Sequence, residues 1–176
     1  KVHLDGARLF NAAIHLEVEA KTIAGYADSV MFCLSKGLSA PIGSMLVGDE
    51  AFIERARKYR KMLGGGMRQV GVLAAAGRIA LNEMTSRLQE DHDNAEYLAG
   101  RLKALDGFEV DETARDINMV FVRSPHDLNK LKKPLEEDGI LLGGYKGEYM
   151  RLVCHHDISK QDIDRLIEAL KSRLSL

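Results

Sequence analysis

The sequence predicts an α/β fold: part of a mostly parallel sheet over residues 1–85, followed by a small α+β domain over residues 86–176. Three observations predict it. Two short apolar runs, 2–4 and 30–34, each deliver a charged side chain, Asp5 and Lys36, just ahead of a glycine. Open α/β sheets build sites in this way, because ligands bind beyond the carboxyl ends of the strands. The run Val30-Met31-Phe32-Cys33-Leu34 holds no charged residue, which fits a strand buried on both faces of a parallel sheet. Beyond residue 106, short strand-like and helical patterns alternate as in a compact α+β unit.

In order along the chain, residues 2–4 read as a strand, and 7–16 as a helix with Leu9, Ala13, Ile14 and Leu16 on its apolar side. Residues 30–34 form the next strand. The strand at 44–48 follows the turn-rich 37–43 too soon for a helical crossover, so it is expected antiparallel to its predecessor. Asp49 caps a helix running to about Met62, with Glu50 and Glu54 near its positive end and Arg57, Lys58, Arg60 and Lys61 toward its negative end. Gly64-Gly65-Gly66 breaks it. A long helical pattern then extends from Gln69 to about Leu105, interrupted near Thr85 and Ser86, and is long enough to connect two domains. The remainder predicts strands at 108–110, 119–122, 140–142 and 149–153 and helices at 128–138 and 159–174, the last opened by the S-x-x-D signature of Ser159 and Asp162.

With 176 residues, 45% hydrophobic and 29% charged, the composition is that of a soluble globular protein. A formal net charge of -1 gives no overall bias toward nucleic acid or anionic membrane. Cys33 and Cys154 lie far apart in apolar runs, so free core thiols and a cytoplasmic setting are expected rather than a disulfide. No apolar stretch of about 18 residues and no signal-peptide core is present, so neither a membrane span nor secretion by that route is expected. The chain opens without methionine inside a strand, at Lys1-Val2-His3-Leu4-Asp5, which reads as the carboxyl-terminal part of something longer.

Lys36 stands between Ser35 and the turn Gly37-Leu38-Ser39-Ala40-Pro41-Ile42-Gly43. A lysine held against a strand end can lose solvation and act as an amine nucleophile, the way pyridoxal 5'-phosphate is anchored. That cofactor needs its ring nitrogen protonated, and Asp5 at the end of the neighbouring strand supplies an acid partner; the competing role for Asp5 is to cap the helix after it. Arg8, three positions on, has the planar fork that holds a carboxylate, and is otherwise an exposed helical arginine. Arg151 lies inside the run Met150-Arg151-Leu152-Val153-Cys154 and must either snorkel to solvent or find an anion. Residues 55–68 carry six positive charges and end in a glycine loop. RNA binding and a solvated helix face compete there with phosphate capture, which fits the lysine and aspartate best. His155-His156-Asp157 lacks a fourth ligand, and adjacent strand residues point to opposite faces, so no metal site is expected.

With these residues in view, the chain resembles the low-specificity L-threonine aldolases, pyridoxal phosphate enzymes of the aspartate-aminotransferase fold type. Four segments carry the likeness in order: His3-Leu4-Asp5-Gly6-Ala7-Arg8-Leu9-Phe10-Asn11-Ala12-Ala13, residues 28–44 around Ser35-Lys36-Gly37, Gly64-Gly65-Gly66-Met67-Arg68-Gln69, and Met150-Arg151-Leu152-Val153. The likeness runs through the whole chain and covers about the carboxyl-terminal half of such an enzyme. It implies that residues 1–85 are the latter part of the cofactor-binding large domain. It also implies that Lys36 is the covalent anchor and Asp5 the ring-nitrogen partner, with Ser35 beside the cofactor and Arg68 near its phosphate. Arg8 and Arg151 would bind the substrate carboxylate. The implied reaction is reversible cleavage of L-threonine or L-allo-threonine to glycine and acetaldehyde, in a homotetramer built from dimers.

The same resemblance places the phosphate-gripping loop, the ring-stacking histidine and a second histidine upstream of residue 1. Residues 1–176 in isolation are therefore expected to be inactive or poorly folded, with apolar strand edges exposed where the missing amino-terminal segment would complete the sheet. Two competitors remain. A β-eliminating lyase of the same fold would use the same lysine and aspartate, and a non-enzymatic basic fragment around residues 55–68 would bind RNA in a salt-sensitive manner that survives Lys36→Ala.

Overall fold

A computed structural model describes residues 1–175 as two units, Lys1–Gln89 and the described residues from Glu90 onward. The first unit contains a three-stranded sheet of order β1-β2-β3: β1 (His3–Asp5), β2 (Ser29–Cys33) and β3 (Ser44–Gly48). β1 runs parallel to β2, with Leu4 opposite Val30 and Asp5 opposite Met31. β3 is antiparallel to β2, with Met31 opposite Leu46, as its short connection requires. Between β1 and β2 lie α1 (Leu9–His15) and α2 (Ala20–Ala24). The second of these was not expected from the sequence, since at five residues it is too short to show a helical period.

Asp49 accepts the Phe52 N–H at 2.7 Å and so caps α3 (Glu50–Met62). The long helical pattern after Gln69 resolves into α4 (Gly71–Ile79), a π-helical turn at Ala80–Met84 and α5 (Leu88–Lys103). Its break falls at Thr85 and Ser86, whose hydroxyls turn back onto the carbonyls of Leu81 and Glu83. The core of this unit gathers Leu34, Leu38, Ala40, Ala80 and Leu88, with Phe10 and Phe32 packed edge to face at 5.4 Å.

The second unit is an antiparallel sheet of order β4-β5-β7-β6, from β4 (Glu109–Val110), β5 (Met119–Arg123), β6 (Tyr145–Lys146) and β7 (Tyr149–Val153). Strands β5 and β7 alternate strictly: Val120, Val122, Met150 and Leu152 are buried, and the residues between them face the other way. The buried side joins α5, α6 (Leu128–Glu137) and α7 (Lys160–Leu174) in one core that includes Leu102, Leu135 and Ile167. The capping box expected at the start of α7 is present, Ser159 Oγ receiving the Asp162 N–H at 3.2 Å and Asp162 Oδ2 receiving the Ser159 N–H at 2.9 Å.

One expected strand is absent from its place. Residues 140–142 are irregular, with Ile140 and Leu142 against the core and Leu141 79% exposed. The free edge of β7 is taken instead by Tyr145 and Lys146, joined to it through Gly147 and Glu148. Gly147, at φ +62°, opens this two-residue hairpin turn, where a left-handed glycine matches the twist of the strands.

Candidate active site

The parallel ladder between β1 and β2 continues past the end of β1. Gly6 N–H donates to the Met31 carbonyl at 2.8 Å, and Cys33 N–H donates to the Ala7 carbonyl at 3.3 Å. A Cβ at Gly6 would lie 3.0 Å from that Met31 oxygen, so a side chain there would press on the ladder. Asp5 leaves the sheet at this edge with its side chain exposed, and its Oδ1 accepts the Ala7 N–H at 3.2 Å. The carboxylate therefore closes a local turn. The helix cap itself is Arg8, ahead of α1, and it makes no side-chain capping bond.

Lys36 is presented by a loop fixed from beneath. Leu34 N–H donates to the Gly43 carbonyl at 2.9 Å, Ala40 N–H to the Leu34 carbonyl at 3.0 Å and Ser39 N–H to the Lys36 carbonyl at 2.9 Å. Leu34, Leu38 and Ala40 are buried, whereas Ser35 and Lys36 are exposed. A Cβ at Gly37 would lie 2.9 Å from Asn11 Oδ1 and 3.1 Å from Leu88 Cδ2, so the loop seats directly on α1 and the start of α5. Asn11, only 2% exposed, was not singled out from the sequence. Its signal was a polar residue on the buried side of an otherwise apolar helix.

Among the described residues neither Asp5 nor Lys36 takes part in an ion pair. An exposed carboxylate and an exposed amine at the carboxyl ends of adjacent parallel strands, neither held in an ion pair, form the donor set that an aldehyde cofactor with a basic ring nitrogen requires. Pyridoxal phosphate fits these residues.

Asp5, Arg8, Ser35 and Lys36 thus lie at or just after the carboxyl ends of β1 and β2 in the first unit, with Arg8 half-buried. Arg68 is exposed in the same unit, in the loop between α3 and α4 beside Gln69 at φ +49°. All six cations of 55–68 are exposed. Arg151 belongs to the second unit, at the centre of β7 opposite Phe121, and is exposed. His155 Nδ1 and Asp157 close a turn after β7, their ion-pair distance being 3.4 Å. Among the described residues no three His, Cys, Asp or Glu side chains are placed to hold a metal. The second unit also encloses a cleft of about 520 Å³ between the 139–143 loop and α7, lined by Leu98, Leu166 and Cys154 among others. Burial and the nearby Asp91 carboxylate push the Cys154 thiol up to about 12, leaving it unreactive there.

Comparison with known proteins shows the family of the chain. The beta-eliminating lyase family model matches residues 1–125. Low-specificity L-threonine aldolase 1 of Arabidopsis thaliana is 48% identical over 93% of this chain and 47% of its own length. The crystal structure of a protein described as an aromatic amino acid beta-eliminating lyase/threonine aldolase from Exiguobacterium superposes with a TM-score of 0.79 at 26% identity, over 97% of this chain and 51% of that one. The structure of SPT with PLP internal aldimine shares the fold, at a TM-score of 0.66 and 20% identity over 88% of this chain and 41% of its own. The likeness to L-threonine aldolases read from the four sequence segments is borne out by these relatives. The chain spans about half the length of the curated relatives it matches.

Proposed function

Because the chain belongs to the beta-eliminating lyase family, we propose that it is the lysine-bearing half of a pyridoxal phosphate-dependent L-threonine aldolase. The reaction is cleavage of L-threonine or L-allo-threonine to glycine and acetaldehyde. One observation carries the proposal: Asp5 and Lys36 stand at the ends of two parallel strands, and among the described residues neither is held in an ion pair. Identity of 48% to an L-threonine aldolase across nearly the whole chain supports the choice of reaction.

In this reading Lys36 Nζ is the covalent anchor and the Asp5 carboxylate keeps a proton on the ring nitrogen. Ser35 lies beside the cofactor and Arg68 serves its phosphate. When bound, pyridoxal phosphate supplies the electron sink for the pair released as the substrate Cα–Cβ bond breaks. Arg8 and Arg151 are carboxylate contacts. A guanidinium gripping both carboxylate oxygens fixes rotation about Cα, which decides which bond is labile. The clamped loop under Lys36 matters for the same reason, because an amine nucleophile is useful only if its position is set in advance.

We assign the complete protein to a homo-oligomer, a dimer of dimers. The surface of α3 and the loop after it supports this: no α3 residue is buried, and Tyr59, Met62 and Leu63 are 59%, 68% and 84% exposed. A cytoplasmic setting agrees with two unpaired cysteines. Among the described residues no helix is long and apolar enough to cross a membrane.

The family model also favours a second reaction on the same residues, β-elimination, which would release pyruvate and ammonia from serine. Incubating the complete protein with L-threonine and with L-serine separates the two. Acetaldehyde from threonine without pyruvate from serine supports the aldolase, and the reverse pattern replaces it with the eliminating lyase.

A further inference from the structure

Arg151 shares its face of the sheet with a second cation that the fold leaves unneutralised. Met119, Phe121 and Arg123 of β5 and Tyr149, Arg151 and Val153 of β7 lie opposite the buried positions of those strands. Lys146 of β6 is in register with Tyr149 and so belongs to that face too. Its ammonium lies 5.8 Å from the centroid of the Phe121 ring, and Phe121 is the cross-strand neighbour of Arg151. Because β7 separates β6 from β5, the Lys146 side chain reaches that ring by crossing β7 between Tyr149 and Arg151.

The third cation of the face, Arg123, is balanced by Glu109 at 2.6 Å and Glu148 at 3.7 Å, and stacks over Tyr149 at 5.7 Å. Neither Lys146 nor Arg151 has a carboxylate within 4.0 Å among the described residues. Like charges on neighbouring sheet positions repel, and an aromatic face below an ammonium holds it in place without cancelling its charge. Such a pair is relieved by an anion. We propose that Lys146 is a second cationic contact for the carboxylate of the amino-acid substrate, beside Arg151, with Phe121 as its platform. This rests on the assignment of Arg151 to that carboxylate.

The test is acetate binding to the complete, cofactor-free protein, compared among wild type, R151M, K146M and K146R. Loss of a charge-assisted contact at this exposed site should weaken acetate about fivefold in K146M and about tenfold in R151M, with K146R within about twofold of wild type. With cofactor restored, K146M should raise KM for L-threonine by about the same fivefold and leave kcat within about twofold, the signature of lost uniform binding. Acetate binding unchanged in K146M but lost in R151M overturns the inference and leaves the Arg151 assignment standing. Acetate binding unchanged in R151M overturns that assignment and this inference with it. A lysine that only braces the hairpin would lower thermal stability in K146M with acetate affinity intact, which also overturns the inference.

Discussion

Cys154 and Asn118 show how much of the second unit depends on single buried groups. The Cys154 thiol is pushed up to about 12 by burial first and by Asp91 second. The folded state therefore holds its proton where the unfolded chain has released it. The thiol's contribution to stability is complete below the ordinary thiol range and is lost as pH rises from there toward about 12. At pH 8 iodoacetamide should label Cys33 and spare Cys154 until the protein is unfolded; equal labelling of both in the native state would show that the burial is wrong. Asn118, 1% exposed, donates Nδ2–H to the Cys154 carbonyl at 2.7 Å, and Cys154 N–H returns a bond to the Asn118 carbonyl at 2.9 Å. Asn118→Ala should cost about 1–3 kcal/mol in urea unfolding, because it strands a buried carbonyl. The sequence marked both cysteines as core thiols, and Cys154 is buried while Cys33 is only half-buried. It could not mark Asn118, whose partner lies 36 residues away along the chain.

Elements whose signals are local were the ones legible beforehand. The cap at Asp49, the capping box of Ser159 and Asp162 and the antiparallel sense of β3 all follow from residues within a few positions of each other. Ser159→Ala should accordingly lower stability by about 1 kcal/mol without affecting the site, as read from the thermal midpoint beside an unchanged KM. The apolar run at 140–142 misled because hydrophobicity alone does not say which segment wins the edge of β7. The outcome was decided by the hairpin turn at Gly147, and the 140–142 segment remains packed but unpaired. At the site, the strand ends carrying Asp5 and Lys36 could be read from their apolar runs, whereas the seating of the Lys36 loop on Asn11 and Leu88 could not. That seating is tested by Gly37→Ala, whose Cβ would collide with the buried Asn11 Oδ1, crowd Leu88 and so displace the neighbouring amine. The expected loss in kcat/KM is about a hundredfold, and a variant of wild-type efficiency would mean that the loop is free to move.

At the scale of the whole molecule, the chain spans about half the length of its curated relatives and contains Lys36, Asp5, Arg8 and Arg151, to which the proposed function gives the anchoring, ring-nitrogen and carboxylate roles. Composition and net charge were informative only through what they lack: an overall charge bias and a long apolar stretch. The likeness to the relatives rests on the order of four segments along the chain. Residues 1–176 expose apolar side chains along β3, at Met45, Leu46 and Val47, and around α3, so the complete protein should be more resistant to thermal aggregation than this stretch alone. The central claim is that Lys36 is the covalent anchor. It is tested most directly by reducing the complete, cofactor-loaded protein with borohydride and mapping its peptides by mass. The account predicts a phosphopyridoxyl group on the peptide containing Lys36, and none in Lys36→Ala; the group on any other lysine, or on none, would contradict it.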